Sequence, residues 1–220
     1  MMWSDVRFVG FDTETTGRDP LTAEIVTAAV GEQEWLLRPA APIPEEATAI
    51  HGITTEQAMA GMDHAEGLAA IRDAIVQVWA DGGALCVFNA PYDCTLLDRE
   101  LRRRGLGGFE INGVVIDPLV IDKQVDRYRR GQRRLVDVAR HHGVDFTDDQ
   151  AHQARADAGV AAELGRLLVG HLADPSAANA QQAEWHDEQK VSYAEWLTDQ
   201  GRIQQARQVR SERGWPLQGV

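Results

Sequence analysis

The residues of this chain best suited to chemistry are four carboxylates and one histidine that lie far apart in the sequence: Asp12, Glu14, Asp93, His152 and Asp157. Asp12 and Glu14 follow an apolar run that predicts a strand, so their side chains should emerge on the same face. Two close carboxylates resist joint ionisation, and a divalent cation between them removes that penalty. With 34 acidic residues, one Asp-x-Glu is expected by chance, so this pair gains meaning only from matching parts elsewhere.

Two further carboxylates occupy equivalent places near the starts of predicted helices. Pro91 opens one helix, and Asp93 in its first turn heads an apolar stripe that continues at helical spacing. Asp157 heads the same kind of stripe in a later helix. Either residue alone reads as an ordinary acidic residue near a helix N-terminus. Together, carboxylates on core-facing positions are costly to bury unless they are paired or bound to a metal.

His152 lies five residues before Asp157 and therefore off the buried stripe of that helix. This spacing places it at the helix start or in the preceding loop, where an imidazole can reach the edge of a site. A lone histidine is more often a surface or core residue, and His51, His141 and His142 illustrate that alternative. Oxygen ligands without cysteine or paired-histidine spacing favour Mg²⁺ or Mn²⁺ over zinc. The sequence thus predicts a site for one or two such ions.

The predicted elements alternate between strands and helices. Strands are predicted at 6–13, 24–31, 33–38, 84–88 and 113–116. Helices are predicted at 65–81, 91–104, 119–125, 134–142 and 153–172, and a proline-rich loop at 39–44. This order predicts an α/β fold with a mixed sheet covered by helices.

Composition narrows the class of protein. The chain has 220 residues, 44% of them hydrophobic, which suits one α/β domain with an appendage. A net charge of −12 argues against a protein that coats nucleic acid through bulk charge. It does not argue against an enzyme that binds one end of a nucleic acid through metal ions. No apolar run is long enough to span a bilayer, the N-terminus lacks a secretory signal, and Cys86 and Cys94 are read as reduced thiols. We therefore expect no membrane contact and a cytoplasmic location.

A boundary is predicted near residue 174, dividing a domain at 1–174 from a helical C-terminal appendage at 175–220. Trp185 and Trp196 are eleven residues apart and so should share nearly the same helical face. That face could pack on its own domain, or dock a partner or a second copy.

Arginines cluster in two segments of the chain. They read either as solvated surfaces or as a rim that tracks phosphates. The members are Arg99, Arg102, Arg103 and Arg104 in the first segment, and Arg127, Arg129, Arg130, Arg133 and Arg134 in the second.

Three motifs together resemble the DEDDh branch of 3′–5′ exonucleases, whose members include the proofreading epsilon subunit of bacterial replicative polymerase. They are F-D-T-E-T-T-G at 11–17, N-A-P-Y-D at 89–93 and H-Q-A-R-A-D at 152–157. The third has the H-x-x-x-x-D form that marks the histidine branch. The segment 43–54 also looks like the family's loop beside the nucleotide pocket. The match runs from about residue 8 to 172 and includes every catalytic position.

The resemblance implies a ribonuclease H-like mixed β-sheet flanked by helices and two-metal hydrolysis of phosphodiester bonds. One Mg²⁺ or Mn²⁺ would be held by Asp12, Glu14 and Asp157, and a second mainly by Asp12. Asp93 would act through water. His152 would be the general base, because imidazole is the side chain best suited to proton transfer near neutral pH.

The resemblance also implies a substrate pocket and a product. The pocket residues would be Thr13, His51, Ile53, Asn89 and Tyr92. The enzyme would release nucleoside 5′-monophosphates from single-stranded 3′ ends, DNA in preference to RNA, in proofreading or repair. Three alternatives stay open: an exoribonuclease of the oligoribonuclease or ribonuclease T type, a polymerase-associated subunit that docks through 175–220, and an adaptor that has lost its catalytic activity. The intact catalytic set argues against the third.

Overall fold

The computed structural model describes residues 2–219, in which a five-stranded sheet is flanked by helices. The strands are β1 Phe8–Thr15, β2 Ile25–Val30, β3 Gln33–Leu36, β4 Ala84–Cys86 and β5 Val114–Ile116. Their order in the sheet is β3-β2-β1-β4-β5. The β1–β2 and β2–β3 pairs are antiparallel, and the β1–β4 and β4–β5 pairs are parallel. The predicted mixed α/β sheet is confirmed.

The α-helices of the described residues are α1 Glu45–His51, α2 Thr55–Ala58, α3 His64–Ala80, α4 Ala90–Arg103, α5 Pro118–Val125, α6 Leu135–His141, α7 Ala154–Leu168, α8 Ala178–Asp199 and α9 Ile203–Ser211. No helix among residues 2–219 combines the length and the apolar character needed to cross a membrane.

The central strand β1 separates two packed layers. Phe11 belongs to a buried cluster with Leu68 of α3 and Leu97 of α4. On the opposite face α7 lies directly against β1, because Gly10 has no side chain. A Cβ at Gly10 would sit 1.7 Å from the carbonyl oxygen of Ala158. Alternation along the strand then directs Asp12 and Glu14, which share the parity of Gly10, towards α7.

The outer edge of β5 is covered by two amide side chains of α8. Asn179 accepts from the Val115 N–H and donates to the Gly113 carbonyl, both at 2.9 Å. Gln182 donates to the Val115 carbonyl at 2.8 Å and accepts from the Asp117 N–H at 2.7 Å. These bonds occupy backbone groups that an edge strand otherwise leaves open to another chain.

The structure corrects the reading of segment 43–54 as a loop, because α1 occupies most of it. Glu45 and Glu46 lie in the first turn, where negative charge is favoured. Gly52 ends the helix in the left-handed conformation, with φ of 75°. Two smaller differences concern boundaries: β1 runs to Thr15 rather than to residue 13, and α7 gives way to a 3₁₀ turn at Val169–His171.

The appendage is helical, as predicted, but its two tryptophans do not share one packed face. Trp185 is half-buried against the cluster that contains Cys86 and Ile116. Beyond it, α8 leaves the sheet and packs through Leu197 on α9. Trp196 therefore stays 50% exposed and stacks on Tyr193. The division of the chain at residue 174 stays a prediction.

Most arginines of the two clusters bond within the protein. Arg103 donates to the carbonyls of Leu21 and Ala23, and Arg104 pairs with Glu24 at 2.8 Å. Arg129 and Arg133 both bond the buried carboxylate of Asp122. These four arginines therefore make structural contacts within the fold. The two cysteines are free and buried.

Candidate active site

The four predicted carboxylates come together where β1 meets the first turns of α4 and α7. Burial raises the pKa of Asp12 well above its usual value, and the charges of the three other carboxylates raise it further. Such mutual influence requires that the groups share one site. Asp12 and Asp157 are 145 residues apart in the sequence, and the packing of α7 on β1 brings them together.

Asp93 lies in the first turn of α4 and is 4% exposed. The Thr13 hydroxyl donates to its Oδ1 at 2.6 Å, which ties the helix to β1. Burial raises the pKa of Asp93 to about 7 even though hydrogen bonds from Thr13 lower it. Thr13 thus orients a carboxylate of the site from the opposite face of its strand.

The two carboxylate oxygens of Asp157 differ in their hydrogen bonding among the described residues. The His152 N–H donates to Oδ2 at 3.2 Å, while Oδ1 is buried and has no hydrogen-bond partner among the described residues. Burial raises the pKa of Asp157 to about 6. An orphaned buried carboxylate oxygen is costly unless something that the protein itself does not supply binds to it.

His152 precedes α7, as predicted, and is exposed. Its φ is 65°, a left-handed conformation that is uncommon for residues other than glycine. A ring nitrogen of His152 and one carboxylate oxygen each of Glu14 and Asp157 all lie within 4.8 Å of one another. The backbone turn therefore brings the imidazole to the edge of the carboxylate site.

The donor set fits divalent cations. Burial raises the pKa of Glu14 to about 8, with further contributions from Asp157 and Asp93. Within residues 2–219, no lysine or arginine forms an ion pair with any of the four carboxylates. No such charge therefore offsets their repulsion. Carboxylate oxygens at such close range match the preference of Mg²⁺ and Mn²⁺. The orphaned Asp157 Oδ1 points to the same missing partner.

A cavity of ≈750 Å³ opens beside the carboxylates. Thr13, His51 and Tyr92, three of the predicted pocket residues, line it. The Tyr92 hydroxyl donates to the Gly17 carbonyl at 2.5 Å and lies 2.9 Å from the Thr15 hydroxyl. Burial raises the pKa of Tyr92 to about 12. Its ring is held as a fixed wall of the cavity.

His51 lies at the end of α1 with one ring nitrogen engaged. Its Nδ1 accepts from the Ile53 N–H at 3.1 Å, and its Nε2 is buried without a hydrogen-bond partner in the described part of the chain. Burial lowers the pKa of His51, which favours the neutral ring, and since Nδ1 accepts, the proton of that neutral ring lies on Nε2. His51 can therefore donate a hydrogen bond to a molecule in the cavity.

Two predicted pocket residues do not line the cavity. Ile53 is half-buried against the cluster that contains Val26 and Ile43. Asn89 is exposed, and its backbone, rather than its side chain, makes the structural contact, because its N–H donates to Asp117. Their roles towards a substrate stay predictions.

Sequence reasoning missed some residues around the cavity and behind it. Arg18, Glu46 and Ile50 line the cavity, and only the formation of α1 brings the latter two there. Asp117 lies behind the site and bonds the start of α4. Its position between a predicted strand and Pro118 is a typical helix N-cap signal, which could have revealed it.

Comparison with known proteins agrees with this geometry. A protein-family model described as an exonuclease, of the RNase T family, matches residues 9–164. The chain belongs to this exonuclease family. An uncharacterised exonuclease, CP81, of Escherichia phage 186 is 31% identical over 170 residues, which cover 70% of this exonuclease and 84% of the phage protein.

Other relatives are longer than this exonuclease. A DNA polymerase III subunit epsilon-like protein of Rhodobacter capsulatus is 31% identical over 184 residues, which are 75% of this chain but 24% of the relative. The crystal structure of E. coli exonuclease I in complex with a dT13 oligonucleotide superposes with a TM-score of 0.60 at 17% identity, covering 81% of this chain and 43% of that one. The shared ribonuclease H-like fold of the exonuclease domain is thereby confirmed.

Proposed function

We propose that this exonuclease hydrolyses phosphodiester bonds from the 3′ end of single-stranded DNA and releases nucleoside 5′-monophosphates. The observation that carries the proposal is the set of four close carboxylates, with none of which a lysine or arginine of residues 2–219 forms an ion pair. The dT13 ligand of E. coli exonuclease I supports the choice of single-stranded DNA.

The carboxylates would hold two Mg²⁺ or Mn²⁺ ions, Asp12, Glu14 and Asp157 around one and mainly Asp12 around the other, with Asp93 acting through water. When bound, such ions activate a water for attack and stabilise charge on the leaving oxygen. His152 takes the proton of the attacking water, because its imidazole lies beside Glu14 and Asp157. Its exposed position lets it release that proton to solvent.

The cavity would hold the terminal nucleotide. The backbone of Thr13 and Glu14 lies at the junction of cavity and carboxylates, where a 3′-hydroxyl would bind. Tyr92 would pack against the terminal sugar or base from one side, with Ile53 assigned to the other side and Asn89 to ordering the site. Packing on such groups tolerates any base, so we expect little sequence preference.

Proofreading is included in the proposal because one relative carries the name of an epsilon-like subunit. The exposed stack of Tyr193 and Trp196 on α8 offers an apolar contact for a polymerase or a second copy. Size-exclusion chromatography of the protein alone and with a replicative polymerase tests this part separately.

The activity is tested with labelled single-stranded DNA, duplex DNA with a mismatched 3′ end and short RNA, each with Mg²⁺ and with Mn²⁺. We expect the 5′-labelled DNA strand to shorten in single-nucleotide steps from its 3′ end. A rate on RNA more than about tenfold above that on DNA, some 1.4 kcal/mol, would instead assign the exoribonuclease alternative. Digestion from the 5′ end, or equal rates with EDTA, would contradict the mechanism.

A further inference from the structure

One buried carboxylate behind the active site ties the starts of two helices together. Asp117 is 0% exposed. It accepts hydrogen bonds from the N–H groups of Asn89 and Ala90 at 3.1 and 2.9 Å. It also accepts from the N–H groups of Leu119 and Val120 at 3.0 and 3.3 Å. A single side chain thus occupies unpaired N–H groups at the beginnings of both α4 and α5.

The C-terminal part of the chain closes around this carboxylate. The Trp215 indole N–H donates to Asp117 Oδ2 at 3.3 Å, and Gln182 of α8 accepts from the Asp117 N–H. Further along, the Gln218 N–H donates to the Thr95 hydroxyl of α4 at 2.9 Å. The C-terminal segment therefore contacts both Asp117 and the helix that Asp117 holds.

The first turn of α4 is where these contacts meet the active site. Asn89 has φ of 66° and ψ of 51°, a left-handed conformation that asparagine adopts more readily than most other residues with a side chain. Its N–H bond to Asp117 stabilises that turn. Tyr92 and Asp93 follow within one helical turn, so the directions of their side chains depend on the conformation of Asn89.

We infer that Asp117 and Trp215 are positioning residues of the exonuclease site, through which the C-terminal segment fixes the direction of Asp93. The family model matches residues 9–164 and so does not include Trp215. The inference concerns the same site as the proposed function and rests on it. Misplacement of a site group by about 1 Å can lower turnover as much as 10²-fold.

Three substitutions test the inference. Asp117→Asn weakens the bonds to both helix starts, Trp215→Phe removes the indole N–H together with part of the ring, and Thr95→Val releases the tail at Gln218. Trp196→Phe is the matched control, because it makes the same chemical change in the same C-terminal region without a contact to Asp117. The assay is digestion of a single-stranded oligo-dT with Mg²⁺ at saturating and limiting substrate.

We expect Asp117→Asn to lower kcat by about tenfold or more, with KM for the oligonucleotide within about twofold of the parent value. Trp215→Phe and Thr95→Val should lower kcat by smaller factors, and Trp196→Phe should leave it unchanged. If Asp117→Asn does not fold, as judged by circular dichroism, the two milder variants decide the matter.

A second readout separates positioning from a simple loss of folded protein. Mn²⁺ binding to the substrate-free protein is measured by isothermal titration calorimetry. Irreversibly unfolded protein lowers the stoichiometry of Mn²⁺ binding, whereas displacement of Asp93 in a variant that circular dichroism shows to be folded weakens the affinity itself. We expect the Mn²⁺ dissociation constant to rise by about threefold or more in Asp117→Asn, and by less in Trp215→Phe.

Parent-like turnover and parent-like Mn²⁺ affinity in the folded variants would overturn the inference. So would an equal loss in Trp196→Phe, because the effect would then be general to the appendage. If the parent protein cuts none of the oligonucleotides, the proposed function fails, while calorimetry still shows whether Asp117 and Trp215 shape the carboxylate site.

Discussion

Two sets of carboxylates, all buried except the half-buried Asp12, lie within this exonuclease, and they differ in what surrounds them. The structural set is Asp98, Glu100, Asp117 and Asp122; the site set is Asp12, Glu14, Asp93 and Asp157. Each carboxylate of the structural set accepts hydrogen bonds from several donors of the protein. Asp98 accepts from Arg102 and from the Phe109 N–H at 2.8 Å. Glu100 bonds His64 at 2.7 Å and accepts from the Ile25 N–H.

Asp122 and Glu14 illustrate the difference, although burial also raises the pKa of Asp117 in the structural set. Burial tends to raise the pKa of Asp122, but hydrogen bonds from Arg129, His142 and Arg133 outweigh it, so the pKa lies below its usual value. Glu14 has no such partners, and its pKa rises to about 8. A carboxylate can be buried in either way, and a buried carboxylate without a cationic partner is the one that a metal ion stabilises most. Acidic residues near histidines, as at Asp122, do not by themselves make a metal site.

The largest expected effect is that of Asp12→Ala in the site set. We expect this substitution to remove exonuclease activity with little loss of folding. Asp12 is assigned to both ions, so its loss leaves neither ion correctly held. Gel digestion of labelled single-stranded DNA with Mg²⁺ measures the effect, and circular dichroism checks the fold. Retained metal-dependent digestion by a clean preparation would contradict the assignment.

The matched change in the structural set is Asp122→Ala, and it should do the opposite. It removes the partner of Arg129, Arg133 and His142. Breaking such a buried pair costs about 3 kcal/mol of unfolding free energy. Urea denaturation measures that loss, while turnover per folded molecule stays near the parent value. Loss of turnover without loss of stability would place Asp122 in the active site instead.

His152→Ala should lower turnover by about 10²-fold, because it removes the proposed base and leaves the carboxylates in place. The same variant should retain Mn²⁺ binding in calorimetry. The pH–rate profile offers the finer test, since its acidic limb should flatten in the variant. An unchanged profile counts against His152 as the base.

The smallest expected effect concerns pH and metal together. The folded-state pKa of Glu14, about 8, exceeds its ordinary 4.5, so the folded, metal-free protein binds more protons than the unfolded chain between these values. Its stability therefore falls as pH rises through that window. Mg²⁺ binds the ionised site, so it should raise Tm by several degrees at pH 8 and little at pH 5. Equal Mg²⁺ shifts in Tm at both pH values, measured by calorimetry, would contradict the repulsion argument.

Much of this could be predicted from local pattern. The alternation along β1 placed Asp12 and Glu14 on one face, and the apolar stripes behind Asp93 and Asp157 placed both on buried helix faces. The position of His152 off its stripe predicted the turn before α7. These inferences succeed because strand and helix periodicity fixes which way a side chain points within its own element.

The misread parts depended on contacts between distant segments. Helix α1 took the place of the expected loop in part because Ala47 packs against Val26 of β2. Trp185 and Trp196 were expected to lie on nearly the same helical face, which was left open to pack or to dock. Because α8 changes its neighbour from the sheet to α9 midway, Trp185 packs and Trp196 stays exposed. Periodicity specifies a face, and only the neighbouring elements decide whether that face is covered.

The sequence by itself determined which residues could do the chemistry, the element that carries each one, and the family to which the chain belongs, because these follow from residue type, spacing and order. The tertiary structure alone decided which buried carboxylates are matched by donors and which are not. It also decided that Trp215, near the end of the chain, meets Asp117 behind the site. Such matches depend on atoms that approach within about 3 Å after distant segments pack together, and no local pattern in the sequence records those distances.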